Sequence, residues 1–408
     1  MEIPVAISDK MEESKIDDNL LRMSAAFREF SGYDIDEFIN FRSDKDNELM
    51  TLRVAQAYKE DLESDPAIAY VSPNTFGRMR KRAVRDAGRE IEVEIVEGIT
   101  LGCDPEFFLI SGNDEIVPPN IFFRRWGYLG YDGRMVELRP APSTNEEVVA
   151  YNLYSLIQTA RATISSVKTI GLYYRQIYTN QIKMIAASFY RGSSAGFHLH
   201  YGLPAPLLGK RPHNQELLAR QIIKALDFYV GIPSVILEGS DDYQRRVYPN
   251  RYGKPGEFNL DNRTLEYRVP GGHLLRHPKL TIGLLGTGAV VVEDLVSRMK
   301  KRTDQFVNLN FMIPDEALNS LYPNVPDRDE IYKAIVNIDP TVAESHMKTI
   351  MEDIRCMVGY EKRKKSVEGF LDSVMSKEKF SNDMEINWGN YYYERQQRQM
   401  DVFQSQGN

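Results

Sequence analysis

The chain is poor in cysteine and histidine. Two cysteines, Cys103 and Cys356, stand among 408 residues, too few for a disulfide framework, so a reducing compartment is expected. The opening residues, MEIPVAISDKMEESKIDD, lack the basic-then-apolar pattern of a signal peptide. The most apolar run, LTIGLLGTGAVVV (280–292), is shorter than the roughly 20 residues of a membrane span and reads as a buried helix. Lys and Arg number 51 against 58 Asp and Glu, a net charge of −7, which argues against generic duplex nucleic-acid binding. No G-x-x-x-x-G-K-[ST] is present, so no P-loop is expected. No G-x-S-x-G marks a serine-hydrolase elbow. The glycines of GYLGYDG (127–133) have no Rossmann setting and read as a turn. What is present, 42% hydrophobic and 27% charged residues, is enough for a globular protein with a real core.

The texture of the chain changes at residue 91. Residues 1–90 read as a polar, helical N-terminal extension, with MTLRVAQAYKEDLES at helical spacing. In NTFGRMRKRAVRDAG and just beyond it, Arg78, Arg82, Arg85 and Arg89 would share a helix face, most simply a solvated one. From IEVEIVEG onward short strands alternate with helices. TLGCDPEFFLISG, RMVELRPAP, IKMIAASFY, GFHLHYGLP and TLEYRVP read as strands. A long helix should start at Ser143 or Thr144, where STNE and TNEE both fit a capping box. Val149, Leu153, Leu156, Ile157, Ala160 and Ile164 give it an apolar stripe. A helix through NQELLARQIIKALDFYVG should stop before Pro233, and another should begin near Pro278. Residues 301–408 read as a helical C-terminal region, with EKRKKS (361–366) a solvated basic patch and NWGNYYYERQQRQM a packing or docking tail.

Four of these strands share one pattern. Side chains two apart on a strand point to the same face. Asp104 and Glu106 pair in this way in CDPEF, Glu137 and Arg139 in VELRP, His198 and His200 in FHLHY, and Glu266 and Arg268 in LEYRV. Apolar residues take the alternate positions. Neighbouring strands of this kind would make one polar sheet face holding four carboxylates, two imidazoles and two guanidiniums. Crowded carboxylates repel, and burial raises their pKa values. Divalent cations relieve this, and oxygen-rich sites with one or two imidazoles suit Mg2+ or Mn2+. Arginines beside such ions suit a phosphate or a substrate carboxylate. Of His198 and His200, one would be a metal ligand and the other a substrate or phosphate contact. Cys103 should face away from Asp104 and pack in the core. The loop SDDYQRRVYPNRYGKPGEF (240–258) adds Arg245, Arg246 and Arg251, placed to hold a polyphosphate or another anion.

The runs LGCDPEFFL, YDGRMVELRPAPS, SAGFHLHYG and RRVYPNRYGKPGEFNLDNRTLEYRVP, in this order, resemble the phage-type amidoligases, carboxylate–amine ligases of the glutamine synthetase-like superfamily. LDFYVGIPSVIL before the arginine loop is similar to family sequence too. The resemblance spans about residues 96–300, with Phe197 standing where the family usually has Gly. It implies an α+β fold: a curved, mainly antiparallel sheet with helices on its convex side, extended by the helical N- and C-terminal regions. A catalytic domain over 91–300 is expected. It implies ATP and two divalent ions. Asp104 and Glu106 would be ligands of the two ions, with Glu137 on one, and Glu266 with His198 or His200 completing the other. Arg268 would hold the transferring phosphate or the carboxylate. Arg139, Arg251 and Arg245 or Arg246 would neutralise ATP phosphates, with His200 also on the nucleotide side. The implied chemistry is an acyl phosphate displaced by an amine. Asp132 and Glu238 are candidate bases for the incoming ammonium. Expected partners are small-molecule or peptide carboxylates and amines, with a homo-oligomer open, no membrane, and a cytoplasmic location (the host's, if phage-encoded). A phosphotransferase on the same fold and a non-catalytic virion protein stay open as alternatives.

Overall fold

The computed structural model describes residues 2–7, 20–24, 28, 38–42, 49–56, 69–71, 90–96, 99–172, 175–202, 212–247, 252–260, 264–303, 322–337 and 340–406. The chain divides into two compact units: Met1–Ile99 with Leu203–Gln215, and Thr100–Gly202 with Glu216–Asn408.

The first unit is built of strands. These are β1 (Glu2–Ile7), β2 (Leu20–Met23), β3 (Phe38–Arg42), β4 (Leu49–Gln56), β5 (Ala69–Val71) and β6 (Glu90–Val96). They close into a barrel in the order β1-β5-β2-β4-β3-β6. This corrects the helical N-terminal extension. Within Leu49–Gln56 two buried apolar residues, Leu52 and Val54, lie two apart. That is a strand period, and in so short a run it competes with a helical one. The face carrying Arg78, Arg82, Arg85 and Arg89 lies outside the described residues.

The second unit is α+β. Its strands are β7 (Thr100–Ile110), β8 (Leu129–Asp132), β9 (Met135–Leu138), β10 (Thr169–Leu172), β11 (Arg175–Tyr178), β12 (Lys183–Ile185), β13 (Phe189–Tyr190), β14 (Ser193–Ser194), β15 (Phe197–Gly202), β16 (Phe258–Leu260) and β17 (Thr264–Tyr267). The main sheet runs β16-β17-β15-β7-β9-β8, with β12 also on β7. Every pairing in it is antiparallel. One face is apolar: Phe107, Val136, Leu138, Leu199, Tyr201, Leu265 and Tyr267 are all essentially buried.

Helices α1 (Glu146–Ser165) and α4 (Pro278–Thr303) pack against the strands of this sheet. Gly288 lets α4 approach closely, because a Cβ there would fall 2.0 Å from Tyr201 Oη. The stretch Pro278–Arg298 is long and apolar enough to cross a membrane, and it lies almost wholly buried inside the protein as a core helix. Helix α1 is capped one residue later than expected. Asn145 Oδ1 accepts from Glu147 N (2.8 Å), while Ser143 Oγ accepts from Asn145 N.

Helix α2 (Pro212–Leu226) does not end before Pro233. It widens into a π-helical turn over Asp227–Gly231 and continues as α3 (Ile232–Ile236). Pro233 lies just past the π-helical turn, at the second residue of α3. The C-terminal region is helical as expected: α5 (Arg328–Val336), α6 (Thr341–Arg355), α7 (Tyr360–Met375) and α8 (Met384–Gln406). Trp388 packs the last of these down, fully buried with Nε1 donating to Leu275 O at 2.7 Å. Within EKRKKS, Arg363 departs from the solvated pattern. It is buried, paired with Glu146 on α1 and Glu293 on α4.

Candidate active site

The register of the main sheet sets the four charged pairs side by side. Glu106 on β7 lies opposite Glu137 on β9. Asp104 lies opposite His198 on β15, and His200 opposite Glu266 on β17. Alternation then puts all six on one face, with the apolar set described above on the other. Cys103 is buried between Asp104 and Leu101 in sequence, and burial pushes its thiol well up, as expected of a core residue.

The side chains converge. His198 Nδ1 lies 3.1 Å from Asp104 Oδ1 and 3.3 Å from Glu266 Oε1. His200 Nε2 lies 3.2 Å from Asp104 Oδ2. Asp104, His200 and Glu266 each offer a ligand atom, all within 4.8 Å of one another. His198 is 5% exposed, while His200, Asp104 and Glu266 are half-buried and reachable. Gly196 is the floor of this cluster. Its N–H donates to Glu106 Oε2 at 2.6 Å, and a Cβ there would fall 2.4 Å from His198 Nε2.

The electrostatics match a cation-binding face. Burial would raise Asp104, but hydrogen bonds from His198 and His200 hold it well below the usual carboxylate range. Burial raises Glu106, with Asp104 adding to the effect. Burial also pushes Glu137 up to about 7; Arg139 opposes this, and Asp104, Glu106 and Asp132 reinforce it. Asp104 Oδ1 is buried and accepts no aligned hydrogen bond. Glu106 and Glu137, which resist ionisation side by side, and beside them Asp104, with a buried oxygen that takes no aligned hydrogen bond, fit a divalent ion.

Two arginines stand on this face. Arg139, just past β9, pairs with Glu137 and donates to Gly127 O at 3.1 Å. Arg268, just past β17, has Nε 3.3 Å from Glu266 Oε1. Asp132 ends β8 on the exposed side of the Glu137 strand. The loop arginines are placed otherwise. Arg245 and Arg246 are 0% and 1% exposed. Arg245 donates to Val269 O and Arg268 O (2.7 and 3.0 Å). Arg246 donates to Gly253 O at 2.9 Å and to Glu238 at 2.5 Å. Their donors hold the backbone on which Arg268 and the Tyr252 loop sit, so the expected phosphate contacts are corrected to a supporting role. Glu238, a candidate base, is that buried partner. Arg251 lies outside the described residues.

Two residues join the site that the sequence reading did not select. Tyr252 Oη lies 2.6 Å from His198 Nε2 and accepts from Arg268 Nη2 at 3.0 Å. Its ring lies under both guanidiniums, 4.8 Å from Arg245 and 5.2 Å from Arg268. Asn259 Nδ2 donates to Glu266 Oε2 at 2.7 Å. The signal for Tyr252 was its place in Y-G-x-x-G, where the loop turns back toward the sheet.

A family profile described as phage phiEco32-like COOH·NH2 ligase, type 2, matches residues 101–389. No curated protein sequence matches the chain. Among solved structures, the chain is similar to a protein solved as the GmaS/ADP complex, at 9% identity and TM-score 0.39, covering 91% of this chain and 97% of that one. It is similar also to a bifunctional glutathione synthetase from Pasteurella multocida, at 10% identity and TM-score 0.30, covering 68% of this chain. The chain spans about half of that synthetase's length, 52%. The profile match covers most of the sequence and contains all six clustered side chains, so the chain belongs to the phage phiEco32-like COOH·NH2 ligase family, type 2.

Proposed function

We propose that the protein is an ATP-dependent ligase that joins a carboxylate to an amine through an acyl phosphate. The observation that carries this reading is the convergence of Asp104, Glu106, Glu137, His198, His200 and Glu266 on one sheet face, with Arg139 and Arg268 beside them. Asp104, Glu266 and a histidine would hold one divalent ion, and Glu106 with Glu137 a second. Such ions supply charge neutralisation to phosphate oxygens. Phosphoryl transfer asks a protein for positioning and neutralisation rather than a nucleophile, and this face is built for that.

In this reading Arg268 holds the transferring phosphate or the acid, pre-oriented by Tyr252 and Glu266. Arg139 neutralises nucleotide phosphate. The substrate carboxylate attacks the γ-phosphorus, ADP leaves, and an amine displaces phosphate to leave the amide. Asp132 is the candidate to take the proton from the ammonium, being exposed beside Glu137 where Glu238 is buried in an ion pair. The chemistry falls within the unit of residues 100–202 and 216–408.

The test is phosphate release from ATP and Mg2+ with pooled amino acids and polyamines. Amine-dependent release is expected. Phosphate transfer to an acceptor without amine dependence would contradict the ligase reading and favour a phosphotransferase.

A further inference from the structure

Beside the carboxylate cluster lies an aromatic lip that the mechanism leaves unused. Residues 116–131, IVPPNIFFRRWGYLGY, contain two arginines and no acidic residue. Trp126 is 74% exposed and Tyr128 55%. The second of the two tryptophans, Trp388, is fully buried. Backbone and side-chain hydrogen bonds fix the lip to the site. Arg139 N donates to Tyr128 O at 2.7 Å, and Arg139 Nη1 to Gly127 O at 3.1 Å. Two guanidiniums flank the indole, Arg125 at 5.2 Å and Arg139 at 5.9 Å from its ring centroid. Arg139 also pairs with Glu137. One side chain therefore joins the carboxylate floor to an indole standing open to solvent.

We infer that Trp126 is the stacking platform for the nucleobase of ATP, with Arg139 between base and phosphates. This rests on the ATP-dependent reading above. A polyanion neutralised at Arg139 has its remainder lying over the neighbouring ring. An exposed indole with flanking cations offers a flat, electron-rich face to a planar, uncharged ring attached to phosphates. An aliphatic substrate would instead call for an enclosed apolar pocket, and Trp126 is not enclosed.

The full chain is titrated with Mg2+ and the non-hydrolysable analogue AMP-PNP, as wild type and Trp126→Ala, and with tripolyphosphate as a probe lacking the base. Iodide quenching of tryptophan fluorescence is followed in parallel, since iodide reaches Trp126 and not Trp388. Stacking energies predict that Trp126→Ala weakens AMP-PNP binding about ten- to a hundredfold, leaves tripolyphosphate affinity unchanged, and that AMP-PNP shields the wild-type indole from iodide. Trp126→Phe should retain most of the affinity. Equal AMP-PNP affinity in Trp126→Ala, equal losses for both probes, or an indole still open to iodide with AMP-PNP bound would overturn the inference while leaving the ligase reading in place. A wild type that binds neither probe would overturn both.

Discussion

Removing one oxygen atom tests how the site is held. In Tyr252→Phe the ring stays between Arg245 and Arg268, 4.8 and 5.2 Å from their guanidinium carbons, so both cation–π contacts persist. The backbone bond from residue 252 N to Arg245 O (2.8 Å) is untouched. The packing of the ring should therefore be kept, and any loss of stability should come from the hydroxyl's hydrogen bonds alone, about 1–3 kcal/mol. What is lost is the link from His198 Nε2 (2.6 Å) through Oη to Arg268 Nη2 (3.0 Å). A hydrogen bond to a charged group contributes about 1.5–3 kcal/mol and a neutral one about 0.5–1.5. If half to all of that is felt at the reacting phosphate, the loss is about 1–4 kcal/mol, or roughly five- to a thousandfold in kcat/KM. The assay is phosphate release with Mg2+, ATP and the pooled acceptors, beside a thermal melt. A variant that melts with wild type and turns over within twofold of it would refute the claim that Tyr252 positions His198 and Arg268.

Three further outcomes follow from the packing. Gly196→Ala puts a Cβ against His198 Nε2, 2.4 Å from it, so Mg2+ affinity should fall about tenfold or more, with the stability loss of an overpacked site, about 1–3 kcal/mol; unaltered Mg2+ binding by calorimetry would contradict it. Arg246→Met leaves Glu238 buried without its partner, which should cost about 3–5 kcal/mol in chemical denaturation; a loss under about 1 kcal/mol would mean that the pair is not structural. Burial pushes Asp227 up to about 8, so between its ordinary value near ~4 and 8 the folded protein keeps a proton that the unfolded chain has released. Its contribution to stability is complete at low pH and is lost as pH rises through that window, at up to about 1.4 kcal/mol per pH unit. Subtracting the pH profile of Asp227→Asn from that of wild type should reveal this falling slope between pH 5 and 8, and coincident profiles would refute it.

The parts of the site that lie on strands were readable because alternation converts spacing directly into a shared face. D-x-E, E-x-R, H-x-H and E-x-R needed only adjacency of their strands, and the antiparallel register supplied it. The loop residues were not readable in this way. Nothing in SDDYQRRVYPNRYG distinguishes an arginine that reaches for phosphate from one folded beneath the loop to hold carbonyls, as Arg245 and Arg246 are. Arg363 hid in a run of surface lysines for the same reason: its partners, Glu146 and Glu293, are far away in sequence. Tyr252 carries no periodic signal, and its role arises only from the approach of a loop to β15. The barrel strands were misjudged because a run of eight residues with Leu52 and Val54 buried two apart fits either period until its neighbours are known.

The most direct test of the central claim is to trap the activated acid. With ATP, Mg2+ and the pooled carboxylates, hydroxylamine replaces the amine and converts an acyl phosphate into a hydroxamate, releasing phosphate. Wild type should give ATP-dependent hydroxamate. Glu266→Gln, which still offers an oxygen to Asn259 but no charge to the Asp104–histidine cluster, should give none while melting like wild type. Hydroxamate formed equally by Glu266→Gln would contradict the placement of the chemistry on this face.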